Sequence, residues 1–247
     1  MALPQLDSPV FKITIPSSNE EVKFRPFLVK EEKILLIAIQ EDDIGTLFEA
    51  VKQVIRNCTF NEVDVDKLTT YDLEYLFLQL RIKSKGPTVN LAFQCENEKT
   101  KEDGSKDVCG CTNEIQLNLE DVKLVGDTKG TRKIILEEKS QTGLIMKAPT
   151  FESSKMMQDV LLTNDVNGIY KALPAYIDTI FQGEQIFDDF KEEELQEWIE
   201  QLTDKQFSKI QEFFTEIPRL RAEIDVTCVS CGHNEKVPLE GLHNFLE

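Results

Sequence analysis

IDVTCVSCGHNEKVPLEGL, residues 224–242, decides how this chain is read, because an earlier stretch repeats its pattern. The earlier copy runs LAFQC up to Cys95, passes a polar insert, and resumes as CTNEIQLNLEDV from Cys111 to Val122. Leu91 and Phe93 precede Cys95 at the spacing with which Ile224 and Val226 precede Cys228. Beyond the closing cysteine, Leu117 and Leu119 stand where Val237 and Leu239 follow Cys231, Glu120 matches Glu240, and Val122 matches Leu242. Alternating apolar residues running into and out of a cysteine pair predict a β-hairpin with thiols at its turn. Two such hairpins supply four thiolates, the number that closes a tetrahedral structural zinc site.

The ligands expected on this register are Cys95, Cys111, Cys228 and Cys231, with Cys109 as the substitute for its neighbour Cys111. Cys111 is preferred because only from there do Leu119 and Glu120 fall where Leu239 and Glu240 stand relative to Cys231. His233 reads as a polar turn residue, and as a fourth ligand only if Cys95 or Cys111 is missing from the site. Three other uses of the cysteines fit less well. A disulfide framework needs an oxidising compartment, and MALPQLDSPVF at the start lacks the basic, then apolar, pattern of a secretion signal. A thioredoxin-type CxxC opens a helix, whereas a strand pattern follows here. Haem attachment needs histidine directly after the second cysteine, and Gly232 intervenes. Free thiols are the second reading after zinc.

Outside the hairpins the same order of elements recurs. KITIPSSNEEVKFRPF (Lys12 to Phe27) and KIILEEKSQTGLIMKAP (Lys133 to Pro149) each place a polar turn between short apolar runs. Helical patterns follow both, and a constant shift of 122 residues brings Lys33 onto Lys155, Asp43 onto Asp165, Ala50 onto Ala172 and Ile55 onto Ile177. LTTYDLEYLFLQL (Leu68 to Leu80) resembles LTDKQFSKIQEFF (Leu202 to Phe214), with Thr69 and Thr203 as expected N-caps. The expected fold is therefore α+β, an internal duplication of β-hairpin, helices and cysteine-bearing hairpin, closed as a zinc-ribbon-like site. Its expected division is a half over residues 1–124, a linker over 125–132, and a second half over 133–247. Within the first cysteine hairpin, the polar stretch Glu96 to Val108 reads as an exposed mobile loop. Helix breaks are expected at Glu41 to Asp43 and at Thr163 to Asp165.

Charge narrows the function. With 28 basic and 45 acidic residues the chain carries a net −17, which argues against nucleic acid and anionic membranes as partners. No apolar run approaches the roughly 20 residues of a membrane span. The acidic stretch 187–201, FDDFKEEELQEWIEQ, reads as a solvated helix face. Catalytic patterns are missing too. The two histidines lie near the C-terminus, there is no phosphate loop, GxSxG or HExxH, and Cys58 reads as a buried apolar residue. A non-enzymatic protein without a small-molecule substrate is expected.

One resemblance sharpens this. RPFLVKEEKILLIA within Phe11 to Asp43, LEYLFLQLRIKSKG (Leu73 to Gly86), and the closing CVSCGH…LEGLHNF resemble the baseplate hub assembly proteins of T-even-type tailed phages. The resemblance covers both ends and most of the first half; Thr128 to Glu200 carries little of it. It implies a small protein needed to build the central hub of a contractile tail's baseplate, acting as an assembly factor or hub component by binding other hub and tail proteins. The host cytoplasm during assembly, and then the virion tail baseplate, are the implied locations. Phe24, Arg25, Pro26 and Phe27 become candidate partner contacts, against the plainer reading of a strand-to-helix corner with both phenylalanines in the core. The alternative function is a zinc-ribbon adaptor or regulator of transcription or replication machinery.

Overall fold

Both apolar–polar–apolar openings become strand pairs, and each is followed by helices, as their periodicities require. A computed structural model describes residues 6–41, 43–100, 106–129, 131–162 and 166–241. Strands β1 (Phe11–Thr14) and β2 (Glu21–Phe24) pair antiparallel with Ile13 facing Val22. Helices α1 (Val29–Gln40), α2 (Ile44–Cys58) and α3 (Thr70–Lys85) then stack on that pair. Asp43 caps α2, its carboxylate accepting from the Thr46 amide at 2.7 Å, so the expected break between α1 and α2 falls in place. Apolar residues surround α3 instead of lining one stripe: Leu73, Leu76, Phe77, Leu78 and Leu80 are all buried. Such a helix belongs inside a protein. One face meets the N-terminal core of Val22, Phe24, Val51, Val54 and Ile55, while Leu78 and Ile82 face the cysteine hairpins.

Thr69 caps α3 reciprocally with Asp72: the Asp72 amide donates to the Thr69 hydroxyl at 3.2 Å and the Thr69 amide to the Asp72 carboxylate at 3.3 Å. Asp72 is fully buried and also accepts from the Ser17 amide and hydroxyl, which ties the β1–β2 turn to the start of α3.

The second half adds a sheet that the sequence did not announce. Strands β8 (Thr131–Glu137) and β9 (Thr142–Lys147) form the expected pair, but β10 (Ile177–Gln182) and β11 (Gln185–Phe187) extend it in the order β11-β10-β9-β8. Gly143 is needed where these strands meet, since a Cβ there would lie 2.2 Å from the Ile134 carbonyl and 2.5 Å from the Phe181 ring. Helices α4 (Phe151–Leu162), α5 (Val166–Ala172), α6 (Glu192–Glu200) and α7 (Asp204–Thr215) complete this half. Leu195 and Ile199 of α6 are buried, so the acidic stretch is a solvated face over an apolar stripe. The Thr203 amide and hydroxyl both donate to Gln206 at the start of α7, at 2.9 and 2.8 Å. The break expected at Thr163 to Asp165 lies outside the described residues.

The cysteine hairpins are β3 (Thr88–Gln94) with β6 (Thr112–Asn118), and β12 (Arg219–Thr227) with β13 (Asn234–Glu240). Two expectations change here. The insert is not simply a loop: β4 (Glu98–Thr100) and β5 (Lys106–Val108) pair as a ribbon, in the register Glu98 opposite Val108. The stretch between the halves is partly strand, since β7 (Lys123–Val125) pairs with Arg219 to Arg221 of β12 and β8 begins at Thr131. Val89, Leu117, Leu119, Val122, Leu220 and Ala222 form a third core beneath both hairpins. Phe48 and Phe151 also stack with ring centroids 4.2 Å apart, and the Thr70 amide donates to the Pro149 carbonyl.

Candidate metal centre

Each hairpin closes in the same way. In the first, the Cys95 amide donates to the Cys111 carbonyl and the Gly110 amide to the Cys95 carbonyl, both at 2.9 Å. In the second, the Cys228 amide donates to the His233 carbonyl and the Gly232 amide to the Cys228 carbonyl, both at 2.8 Å. Gly110 and Gly232 have φ of +63° and +70°, the left-handed conformation that favours glycine. Cys109 therefore occupies in its hairpin the place of Cys231, and Cys111 the place of His233.

The sulfurs of Cys95, Cys109, Cys228 and Cys231 all lie within 4.8 Å of one another, with Cys95–Cys231 at 3.7 Å and Cys109–Cys228 at 3.8 Å. Four sulfurs bonded at about 2.3 Å to a tetrahedral metal sit about 3.8 Å apart, so the donor set fits one such ion. Cys95 and Cys228 are buried, while Cys109 and Cys231 are partly covered. The cysteine favoured by the repeat register, Cys111, lies outside this group of four. Its sulfur sits 3.7 Å from the Thr112 carbonyl, and burial together with the Cys228 sulfur pushes its thiol up. Cys109, the substitute, stands in the group instead. The reason is the glycine turn: a chain reversal at Gly110 directs the residue before it, not the one after it, toward the facing hairpin.

Electrostatics differ across the cluster. The Cys231 amide, helped by that of Ser230, draws the Cys228 thiol down to about 6. At Cys95 the Asn97 amide pulls the other way from burial and the crowding sulfurs of Cys231, Cys228 and Cys109, which win and push it up to about 12. Four acidic protons in such close quarters cannot all leave without a compensating cation. A divalent metal would supply that charge.

Two asparagines that the sequence reading passed over join the hairpins. Asn113, only 4% exposed, accepts from the Val229 amide at 2.9 Å and donates to the Cys111 and Phe93 carbonyls at 3.1 and 3.4 Å. Asn97 donates to the Cys231 sulfur at 3.7 Å. Neither carries a signal in spacing alone, but the recurring Cys-Gly at 109–110 and 231–232 was visible and would have selected Cys109.

The candidate partner contacts turn inward. Phe24 and Phe27 are buried, and Arg25 pairs with the fully buried Glu31, Nη2 to Oε1 at 3.2 Å. Glu31 also accepts from the Leu28 amide at 2.9 Å. Burial works to raise the Glu31 carboxyl, but Arg25 and that amide outweigh it and hold it below the usual range. Pro26 lends its carbonyl to Arg25 at 3.0 Å. The motif therefore builds a corner, and its aromatic and guanidinium groups are occupied within the chain. Cys58 is buried beside it, and burial pushes its thiol up to about 11, as expected for an inert apolar filler. Among the described residues, no helix is long and apolar enough to cross a membrane.

No curated protein and no solved structure gives a significant match to the chain. Residues 8–247 match the family described as T4 bacteriophage base plate protein, which spans both halves and the thiol cluster. The chain belongs to the T4 bacteriophage base plate protein family.

Proposed function

We propose that the protein acts in building the baseplate hub, as an assembly factor or hub component that binds other hub and tail proteins without turning over a substrate. The family match over residues 8–247 carries this reading. Surface chemistry supports it. Directly after the inward-turned corner, α1 leaves Val29 81%, Leu36 53%, Ile37 48% and Ile39 46% exposed, beside Leu28 at 44%. Grouped apolar exposure of that kind marks protein-binding surface. The net −17 charge favours protein over nucleic acid as partner. Assembly takes place in the host cytoplasm on this reading, and the finished site of action is the tail.

The thiol cluster holds one structural zinc, and the chain is a duplicated unit whose halves, with a join over 125–132, face each other across that ion. Duplication is supported by the element boundaries. A shift of 122 residues carries α1, Val29–Gln40, onto α4, Phe151–Leu162, and β6, Thr112–Asn118, onto β13, Asn234–Glu240. The same shift carries Cys109, Gly110 and Cys111 onto Cys231, Gly232 and His233. The reducing cytoplasm expected for assembly suits thiolate ligands.

Co-expression with the hub proteins of the same phage tests the function. A stable complex is expected, and infections lacking the protein should accumulate tail parts without complete hubs. Normal particles made without the protein, together with failing late gene expression and co-purification with polymerase, would replace this reading with the regulator.

A further inference from the structure

We propose that Asn113 and Asn97 are the positioning residues of the thiol cluster, a polar clasp by which the first cysteine hairpin holds the second at metal-binding distance. The inference rests on the zinc reading above. Its basis is the direction of the contacts. The third core beneath the hairpins fixes them at their base, through residues such as Val89, Leu117 and Leu220. At the thiol end, cross-hairpin contact passes from Asn113 to the Val229 amide and from Asn97 to the Cys231 sulfur.

Val229 lies between Cys228 and Cys231, so fixing its amide fixes the turn that carries both thiols of the second hairpin. The Val229 side chain is 84% exposed and contributes no packing that would do this instead. On the other side, Asn113 holds the Cys111 carbonyl, which also receives the Cys95 amide. One buried amide therefore registers the closing pair of the first hairpin against the loop of the second. Its burial excludes competing water, so an empty hydrogen-bond position there is costly. Asn97 acts on a ligand directly, since an N–H donated to a thiolate favours the charged, metal-binding form.

The clasp also breaks the symmetry of the two hairpins. The 122-residue shift carries Asn113 onto Glu235, which is exposed, so the second hairpin has no buried side-chain amide at the matching position. Metal binding releases the thiol protons to solvent as the sulfurs become ligands. Holding four sulfurs together beforehand reduces the ordering that the ion itself must impose.

The test uses the full chain loaded with zinc and challenged with a chelator, and the chain loaded with cobalt for its thiolate spectrum. Asn113→Ala is expected to weaken metal retention about 10- to 100-fold, the usual effect of removing a group that orients ligands. The helical signal should stay close to the parent's, so that the lost metal reports a positioning role in a chain that still folds. Asn113→Asp keeps an acceptor for the Val229 amide and should recover part of the loss. Asn97→Ala, at a half-buried side chain, should shift the cobalt–thiolate bands and shed metal several-fold faster. It decides the matter alone if the Asn113 variants do not fold. Parent-like retention and spectra in the folded variants would overturn the clasp while leaving the zinc reading intact. A parent chain that takes up neither metal would instead remove the zinc reading and the clasp with it.

Discussion

The two cysteine hairpins have the same closing geometry and different lengths, and the difference shows what sequence spacing conceals. In the second hairpin two residues separate Cys228 from Cys231. In the first, Glu96 to Val108 separate Cys95 from Cys109 and carry the β4–β5 ribbon. Yet both turns close with the same pair of backbone hydrogen bonds and the same left-handed glycine. The turn, not the distance between cysteines, is the repeated unit. An insertion at the tip of a hairpin adds exposed strand without disturbing the ladder below it, because the closing bonds lie beneath the insertion.

If the two hairpins are joined by one ion, removing one ligand should affect the whole chain. Cys228→Ser has the largest expected effect: loss of the metal and of about 4 kcal/mol or more, a size confined to a few mechanisms that include lost metals. Calorimetry that still shows the parent's transition would break the comparison at its first step. Removing the buried partner of Arg25 comes next. Glu31→Ala strands a mostly covered guanidinium and should cost about 3 kcal/mol in denaturant titration. This loss belongs to the N-terminal core, so zinc content should not change. The sign of its pH dependence follows from the lowered Glu31 carboxyl. The stabilisation is fully present above the ordinary glutamate value of 4.5 and fades as pH falls below it. Glu31→Gln should remove that part of the acid sensitivity.

Gly143→Ala should cost about 1–3 kcal/mol, since its methyl group meets backbone and a ring inside the C-terminal sheet. An unchanged thermal midpoint would mean that the sheet yields more easily than its close contacts imply. The smallest effect is expected where the hairpins differ most. Deleting Glu98 to Val108, so that only Glu96 and Asn97 separate Cys95 from Cys109 as Val229 and Ser230 separate Cys228 from Cys231, should keep close to one zinc per chain. The exposed Lys106–Glu98 ion pair lost with the ribbon contributes at most about 1 kcal/mol. Loss of the metal in this shortened chain would show that the insertion helps to build the site.

Alternation and helical period made much of the fold legible. The openings at Lys12 and Lys133, the caps at Thr69 and Thr203, and both cysteine hairpins could be read from residues. The strands β10 and β11 could not. QIF of β11 is exposed at the sheet edge, and IDTIFQ of β10 shows no strict alternation, because its two faces are covered unevenly. In the candidate site, the second pair of thiols was legible from CVSCG. The first was misregistered by two residues, because Leu117 and Leu119 match Val237 and Leu239 as readily as Ile115 and Leu117 do. Apolar alternation has a period of two, so it cannot distinguish a shift of two. The glycine conformation can, and it selects Cys109. The inward turn of Phe24 and Phe27 was legible as the plainer reading of their motif, a strand-to-helix corner. The Arg25–Glu31 pair was not, since a motif's sequence does not say which of its polar side chains find partners within the chain.

The claim that one ion joins the two hairpins is tested most directly by metal analysis of the purified full chain with titration of its native thiols. The expected result is one zinc per chain, with Cys95, Cys109, Cys228 and Cys231 protected, Cys58 buried, and Cys111 the thiol that reacts. A chain with less than a tenth of an equivalent of zinc, or one in which Cys109→Ser keeps the metal and Cys111→Ser loses it, would contradict the account.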